Sequence, residues 1–259
     1  MRHVYTVPAY GRSPHLEACL ESLQGQHASS VVVSTSTPFD GLESIAGTHG
    51  ARVVVHGPNR GIGADWNAAY EAADGELVTI AHQDDIYAPA HAATVQEAFA
   101  AAPDALLAFT DYREFDDAGV RARNRTLWVK EVQRELAFLG AGVLRSRARK
   151  RMLLRFGNPI ACPAVTFNKA RLGGFGFRTD MRTNMDWAAW LELAARDGAF
   201  VYVREPLVMH RIHSGSETTA CIVDGARARE DEDMFRQLWP GYVARMLARL
   251  YASSYTTNG

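Results

Sequence analysis

Four short β-branched runs constrain the fold more than any other feature. They are V-Y-T-V (4–7), S-V-V-V-S (30–34), R-V-V-V-H (52–56) and E-L-V-T-I-A (76–81), and they alternate with helical patterns at 13–24, 40–49 and about 62–73. Near-continuous apolar strands have no polar face for water, so the sheet they build is covered on both sides. Strands joined by helical crossovers pair in parallel. The pattern therefore predicts an α/β chain with a Rossmann-like, mostly parallel central sheet flanked by helices. In the first helix Ser13 is the expected N-cap and Pro14 the first helical residue, with apolar positions at 16, 19, 20 and 23.

The pattern changes after about residue 103. A strand is expected at 105–112, turn chemistry at D-D-A-G (116–119), and a helix over 129–154. A mixed segment (158–175), a helix at 186–196, a strand at 199–203 and a polar loop H-R-I-H-S-G-S (210–216) follow. A helical tail is expected from about 222.

The chain has 259 residues, 47% of them hydrophobic, enough for one large domain with a real core. A net charge of −1 supplies no basic field for nucleic acid. Cys19, Cys162 and Cys221 show no C-x-x-C spacing and read as reduced thiols. M-R-H-V-Y-T-V-P enters a strand at once, unlike a signal peptide. No apolar run approaches the roughly 20 residues of a membrane span. The expected location is cytoplasmic. The basic block R-S-R-A-R-K-R-M-L-L-R (145–155) reads either as a solvated helix face or as a patch for anionic lipid at the inner face of a membrane.

Chemistry gathers at T-I-A-H-Q-D-D-I-Y (79–87), where His82, Asp84 and Asp85 follow the fourth strand. Ligands of open α/β sheets bind beyond the carboxyl ends of the strands. Hard divalent cations take carboxylate oxygens there and bridge them to phosphates. A plain polar turn leaving a buried strand is the alternative.

The wider segment N-R-G-I-G-A-D-W-N-A-A-Y-E-A-A-D-G-E-L-V-T-I-A-H-Q-D-D-I-Y-A-P (59–89) resembles the central signature of family 2 glycosyltransferases, which have the GT-A fold. The matching residues are Asn59, Gly61, Asn67, Gly75, Glu76, Asp84 and Asp85. L-G-G-F-G-F-R-T-D-M-R-T-N-M-D-W-A-A-W-L-E-L-A-A-R-D-G (172–198) is similar to a second signature of that family, and the 210–216 loop to its Arg-x-His loop. T-V-P-A-Y-G-R-S-P-H-L-E-A-C-L-E-S-L (6–23) matches its opening strand and helix, so the resemblance runs over about residues 3–217.

The resemblance implies an inverting, metal-dependent enzyme that moves a sugar from a nucleoside-diphosphate sugar to a glycan or lipid-linked acceptor hydroxyl. It implies Mn²⁺ or Mg²⁺ held by Asp84 and His213, and Asp186 as the general base. Pro8, Tyr10, Arg12, Ser34, Thr35, Asn59, Gly61, Asn67, His82, Gln83 and Arg211 are the implied nucleotide-sugar contacts. The corresponding division is a nucleotide-sugar half (1–103), an acceptor and catalytic half (104–217) and a helical tail (218–259). Three departures stand out. Ser34-Thr35 replaces an acidic pair that ordinarily reads a pyrimidine base, His82 replaces the first Asp of a D-x-D, and Met185 replaces an acid before Asp186. Two other readings remain open: a GT-A-like domain that binds without catalysing, and a nucleotidyltransferase.

Overall fold

The computed structural model describes residues 1–27, 29–213, 215, 221–222 and 225–252. The amino-terminal strands are β1 (His3–Tyr10), β2 (Ser29–Thr37), β3 (Arg52–Val55) and β4 (Leu77–Ile80). They pair in parallel in the order β3-β2-β1-β4. The crossovers are α1 (Leu16–Leu23), α2 (Leu42–Thr48) and α3 (Ile62–Ala72). Helix α1 starts later than expected. Its N-cap is His15, and Ser13 Oγ instead accepts the His15 N–H at 3.2 Å in the preceding turn.

The sheet continues through β5 (Ile86–Tyr87), β6 (Ala105–Asp116), β7 (Gly119–Val120), β8 (Val143–Leu144), β9 (Val165–Asn168) and β10 (Ala199–Arg211). Strand β9 slots antiparallel between β4 and β6, and β10 runs parallel to β6. The antiparallel insertion comes from the mixed segment, which carries no alternating pattern long enough to announce it.

Pleating sends alternate residues to opposite faces. On β1 and β2, Val4 and Val32 join the large core shared with α3 and the later helices. Tyr5, Val7, Val31 and Val33 pack on α1 and α2. The later helices are α4 (His91–Ala101), α5 (Arg125–Phe138), α6 (Arg147–Leu153), α7 (Met185–Ala195), α8 (Ala226–Arg236) and α9 (Gly241–Ala252). Helices α8 and α9 dock through Met234, Phe235, Ala244 and Ala248 onto the same core as Trp187 and Trp190. The expected tail is thus helical where described; residues 218–220, 223–224 and 253–259 lie outside the described set.

The helix expected over 129–154 is two helices. Leu139 leaves α5 in the left-handed region at φ 50°, Gly140 follows at φ 78°, and β8 then pairs with β10 before α6 begins. Two glycines within four residues, Gly140 and Gly142, make that break inexpensive.

Candidate active site

The strand-end turn after β4 splits its two carboxylates between two tasks. Asp85 is fully buried and accepts the Arg211 N–H at 2.8 Å and His210 Nδ1 at 3.0 Å. It therefore anchors the end of β10, which runs beyond the expected 199–203 strand into the polar H-R pair. Ser214 and Ser216 of the expected loop lie outside the described residues. Burial alone would lower His210, but the carboxylate of Asp85 against it raises it to about 9.

Asp84 points the other way and is partly open. Its Oδ2 lies 2.9 Å from His213 Nε2, and Arg211 Nε donates to its carbonyl at 3.0 Å. Burial works against its charge, yet the histidines around it, His82 first, hold it below the ordinary carboxylate range. His82 is lowered chiefly by burial, with the Asp85 and Asp84 carboxylates pulling against it. Its ring lies 5.0 Å from that of Trp66, and its buried Nε2 has no hydrogen-bond partner. Ligand atoms of His82, Asp84 and Asp85 all fall within 4.8 Å of one another. His82 Nδ1 lies 4.0 Å from Asp85 Oδ2, and an imidazole grouped with two carboxylates fits a divalent cation. That mixed set suits Mn²⁺ better than Mg²⁺.

Asp186 sits in the first turn of α7, where the helix dipole favours a carboxylate; the N-cap is Asn184. Its Oδ2 accepts from Asn158 Nδ2 at 2.8 Å and its Oδ1 from the Trp187 N–H at 2.7 Å. Burial pushes its carboxyl up to about 6, and Trp187 N–H, Arg227, Lys130 and Asn158 pull against that without cancelling it. The absence of an acid at Met185 is thus offset by desolvation. A second acid does approach from α8: Asp231 is fully buried, accepts from Asn184 Nδ2 at 2.6 Å, and is itself raised to about 6 by burial, with Asp186 among the further causes. Burial raises the Cys162 thiol, and the Asp186 and Asp85 carboxylates both add to it.

The other expected contacts fall into two groups. Pro8, Tyr10, Arg12 and Gln83 line the carboxyl end of β1: Tyr10 is exposed, its N–H donates to Gln83 Oε1 at 3.1 Å, and Arg12 lies over the Phe39 ring at 5.7 Å. Ser34 and Thr35 are each only 1% exposed, and Thr35 Oγ1 is taken by the Thr37 N–H at 3.0 Å. Both residues are thus sealed from solvent.

Several motif residues work as scaffold. Asn59 Oδ1 accepts the Gly61 N–H at 2.8 Å, and Gly61 takes φ 96° to open α3. Asn67 grips the backbone of Phe177 with both ends of its amide, Nδ2 to the carbonyl at 2.8 Å and Oδ1 from the N–H at 2.6 Å. A Cβ on Gly63 would collide with the Arg178 carbonyl, so glycine there lets α3 and the 176–179 loop close on each other. Arg211 stacks on Phe115 at 4.2 Å, donates Nε to the Asp84 carbonyl and holds Nη1 3.8 Å from Asp117 Oδ1. Sequence reasoning missed Asn158, Lys130, Asp231 and Asp65. Each stands far in the chain from the residue it serves, and none carries a local signal.

The basic block is spent on internal partners. Arg145 pairs with Asp104 and Arg147 with Asp197, and Arg149 donates to the Ala137 carbonyl. Lys150 is buried on the Arg196 and Gly198 carbonyls, Arg151 donates to the Gln237 carbonyl, and Arg155 covers the Trp239 ring. Among the described residues no helix is long and apolar enough to cross a membrane.

A parallel half-sheet with a carboxylate–histidine turn at its strand ends, and a burial-raised acid at the start of α7, sit on a GT-A scaffold. The sequence profile described as glycosyl transferase family 2 matches residues 6–161, and the chain belongs to that family. Residues 1–349 of S. aureus TarS share the fold at a TM-score of 0.65 and 14% identity, covering 92% of this chain and 70% of that one. The same TarS fragment in complex with UDP-GlcNAc gives 0.64 at 13% identity, covering 92% and 71%. The mannosyltransferase PcManGT from Pyrobaculum calidifontis, in complex with GDP-Man and Mn²⁺, gives 0.61 at 18% identity, covering 100% and 76%. No curated protein sequence matches the chain.

Proposed function

We propose that this glycosyltransferase is an inverting, divalent-metal-dependent enzyme that transfers a hexose from a nucleoside-diphosphate sugar to an acceptor hydroxyl. The observation that carries the reading is the opposed tuning of two carboxylates, one at the strand-end turn and one at the start of α7: Asp84 is held low and Asp186 is raised to about 6. Pairs of acids pushed apart in this way divide charge stabilisation from proton transfer. Asp84, His82 and His213 would hold Mn²⁺ or Mg²⁺. That ion would offset charge on the departing diphosphate. Pro8, Tyr10 and Gln83 would bracket the nucleoside. Asp186, oriented by Asn158 and the Trp187 N–H, would accept the proton of the acceptor hydroxyl as its oxygen bonds the anomeric carbon and the bond to the diphosphate breaks. A single displacement inverts that carbon. Complexes of the similar folds with UDP-GlcNAc and with GDP-Man and Mn²⁺ support a sugar-nucleotide donor.

The acceptor we favour is a glycan or lipid-linked glycan handled in the cytoplasm. The internal pairing of residues 145–155 gives no support to a lipid-binding role for that block. The reading is tested by nucleoside diphosphate release from a panel of donors, with Mn²⁺ and with chelator. Metal-dependent release from at least one donor is expected; no release, with nucleotide still bound, would favour the binding-only alternative.

A further inference from the structure

Asp65 lies in the first turn of α3 and is 9% exposed. Its Oδ2 accepts a hydrogen bond from Ser36 Oγ at 3.0 Å, and no ion pair to it occurs among the described residues. Burying a carboxylate on one neutral hydroxyl is costly unless a further donor completes it. The helix dipole offsets part of that cost, and Oδ1 makes no hydrogen bond among the described residues.

The position is specific. Ser36 belongs to the last turn of the β2 ladder, one residue before Thr37, which pairs with Tyr10 and accepts the Gly11 N–H at 2.8 Å. The next residue of α3, Trp66, packs on His82. The carboxylate thus stands beside the last residues of β2, on the helix whose Trp66 contacts the turn that carries Asp84. Ser34 and Thr35, the residues expected to face the base, are sealed.

We propose that Asp65 is the residue that reads the base of the nucleotide donor, with Ser36 as its positioning partner. The inference rests on the sugar-nucleotide reading above. A carboxylate is an acceptor only. It pairs with a ring N–H, which uracil, thymine and guanine carry on their pairing edge. It repels the ring-nitrogen lone pair that cytosine and adenine present there. Ser36 Oγ donates to Asp65 and keeps lone pairs for a second base donor, so the Asp65–Ser36 pair selects bases with a ring N–H.

Calorimetric titration of UDP, GDP, CDP and ADP with Mn²⁺ tests this on wild type, Asp65→Asn and Ser36→Ala. Wild type is expected to bind UDP or GDP about 10- to 100-fold more tightly than CDP and ADP, the range of a hydrogen bond to a charged group. In Asp65→Asn the amide can still accept from Ser36 but turns a donor toward the base, and the preference should shrink to a few-fold or reverse. Ser36→Ala, which keeps the carboxylate and frees its orientation, should fall between; thermal melts confirm that each variant is folded. If Asp65→Asn weakens all four nucleotides equally, or keeps the wild-type ratio, Asp65 is scaffold and the proposal is overturned. Equal binding of all four by wild type also overturns it while leaving the donor reading intact. Binding of none removes the donor reading and the proposal together. Should Asp65→Asn not fold, an unchanged base preference in Ser36→Ala overturns the proposal.

Discussion

Asp84 and Asp186 are carboxylates of similar burial in two halves of one molecule, and their surroundings drive them in opposite directions. Asp84 leaves a buried strand among three histidines, and their proximity overcomes the cost of burial. Asp186 has two hydrogen bonds and distant cations, and burial wins, so its carboxyl rises to about 6. The buried histidines repeat the lesson. His3 and His91, set in the sheet core without a carboxylate, are lowered to about 3, whereas His210 against Asp85 is raised to about 9. Burial pushes each group toward its neutral form, and the partner it meets there decides whether that push wins.

The comparison breaks most sharply at Asp186. Asp186→Asn keeps the shape and one of the two hydrogen bonds, and removes the base. Turnover should fall by about 10²–10⁴-fold with nucleotide affinity within a few-fold of wild type. Normal turnover would reduce Asp186 to a residue of the first helical turn. At the other pole, His213→Ala removes the partner that orients Asp84. Mn²⁺ affinity, read by calorimetry without nucleotide, should weaken by about 10–100-fold, as loss of such supports does, and Asp84→Ala should cost at least as much. Unchanged metal affinity in both would place any metal elsewhere. The smallest effect sharpens the Asp186 side: Asn158→Ala removes a donor that favours the ionised carboxylate. The midpoint of the pH–rate profile should move upward by about one to two units, since a charged hydrogen bond is worth about 1.5–3 kcal/mol. A downward shift would mean that Asn158 donates to nothing ionisable.

Part of this contrast was legible in the chain. Strands β1–β4 and helix α3 announce themselves through local alternation, and the 59–89 signature led directly to Asp84. The 172–198 signature led to Asp186. The environment that tunes Asp186 was not legible: Asn158 lies 28 residues upstream, Lys130 is on another helix, and Asp231 arrives from α8. Tertiary packing alone brings them together. Asn67 shows the complementary gap. Its place in a recognisable motif suggested a ligand contact, while the structure commits both ends of its amide to Phe177. The extension of β10 through His210 and Arg211 escaped notice because its polar residues are fixed by Asp85 and the β6 ladder, contacts that no hydropathy pattern records.

The most direct test of the account is the pH dependence of nucleoside diphosphate release at saturating donor and Mn²⁺. The base must be ionised to act, so the rate is low where Asp186 is protonated and rises as pH climbs through its raised value. The account predicts a single ionisation with a midpoint of about 6, and a residual rate in Asp186→Asn that no longer shows that step. A wild-type profile flat between about pH 5 and 8, or an Asp186→Asn profile that keeps the same midpoint, would contradict it.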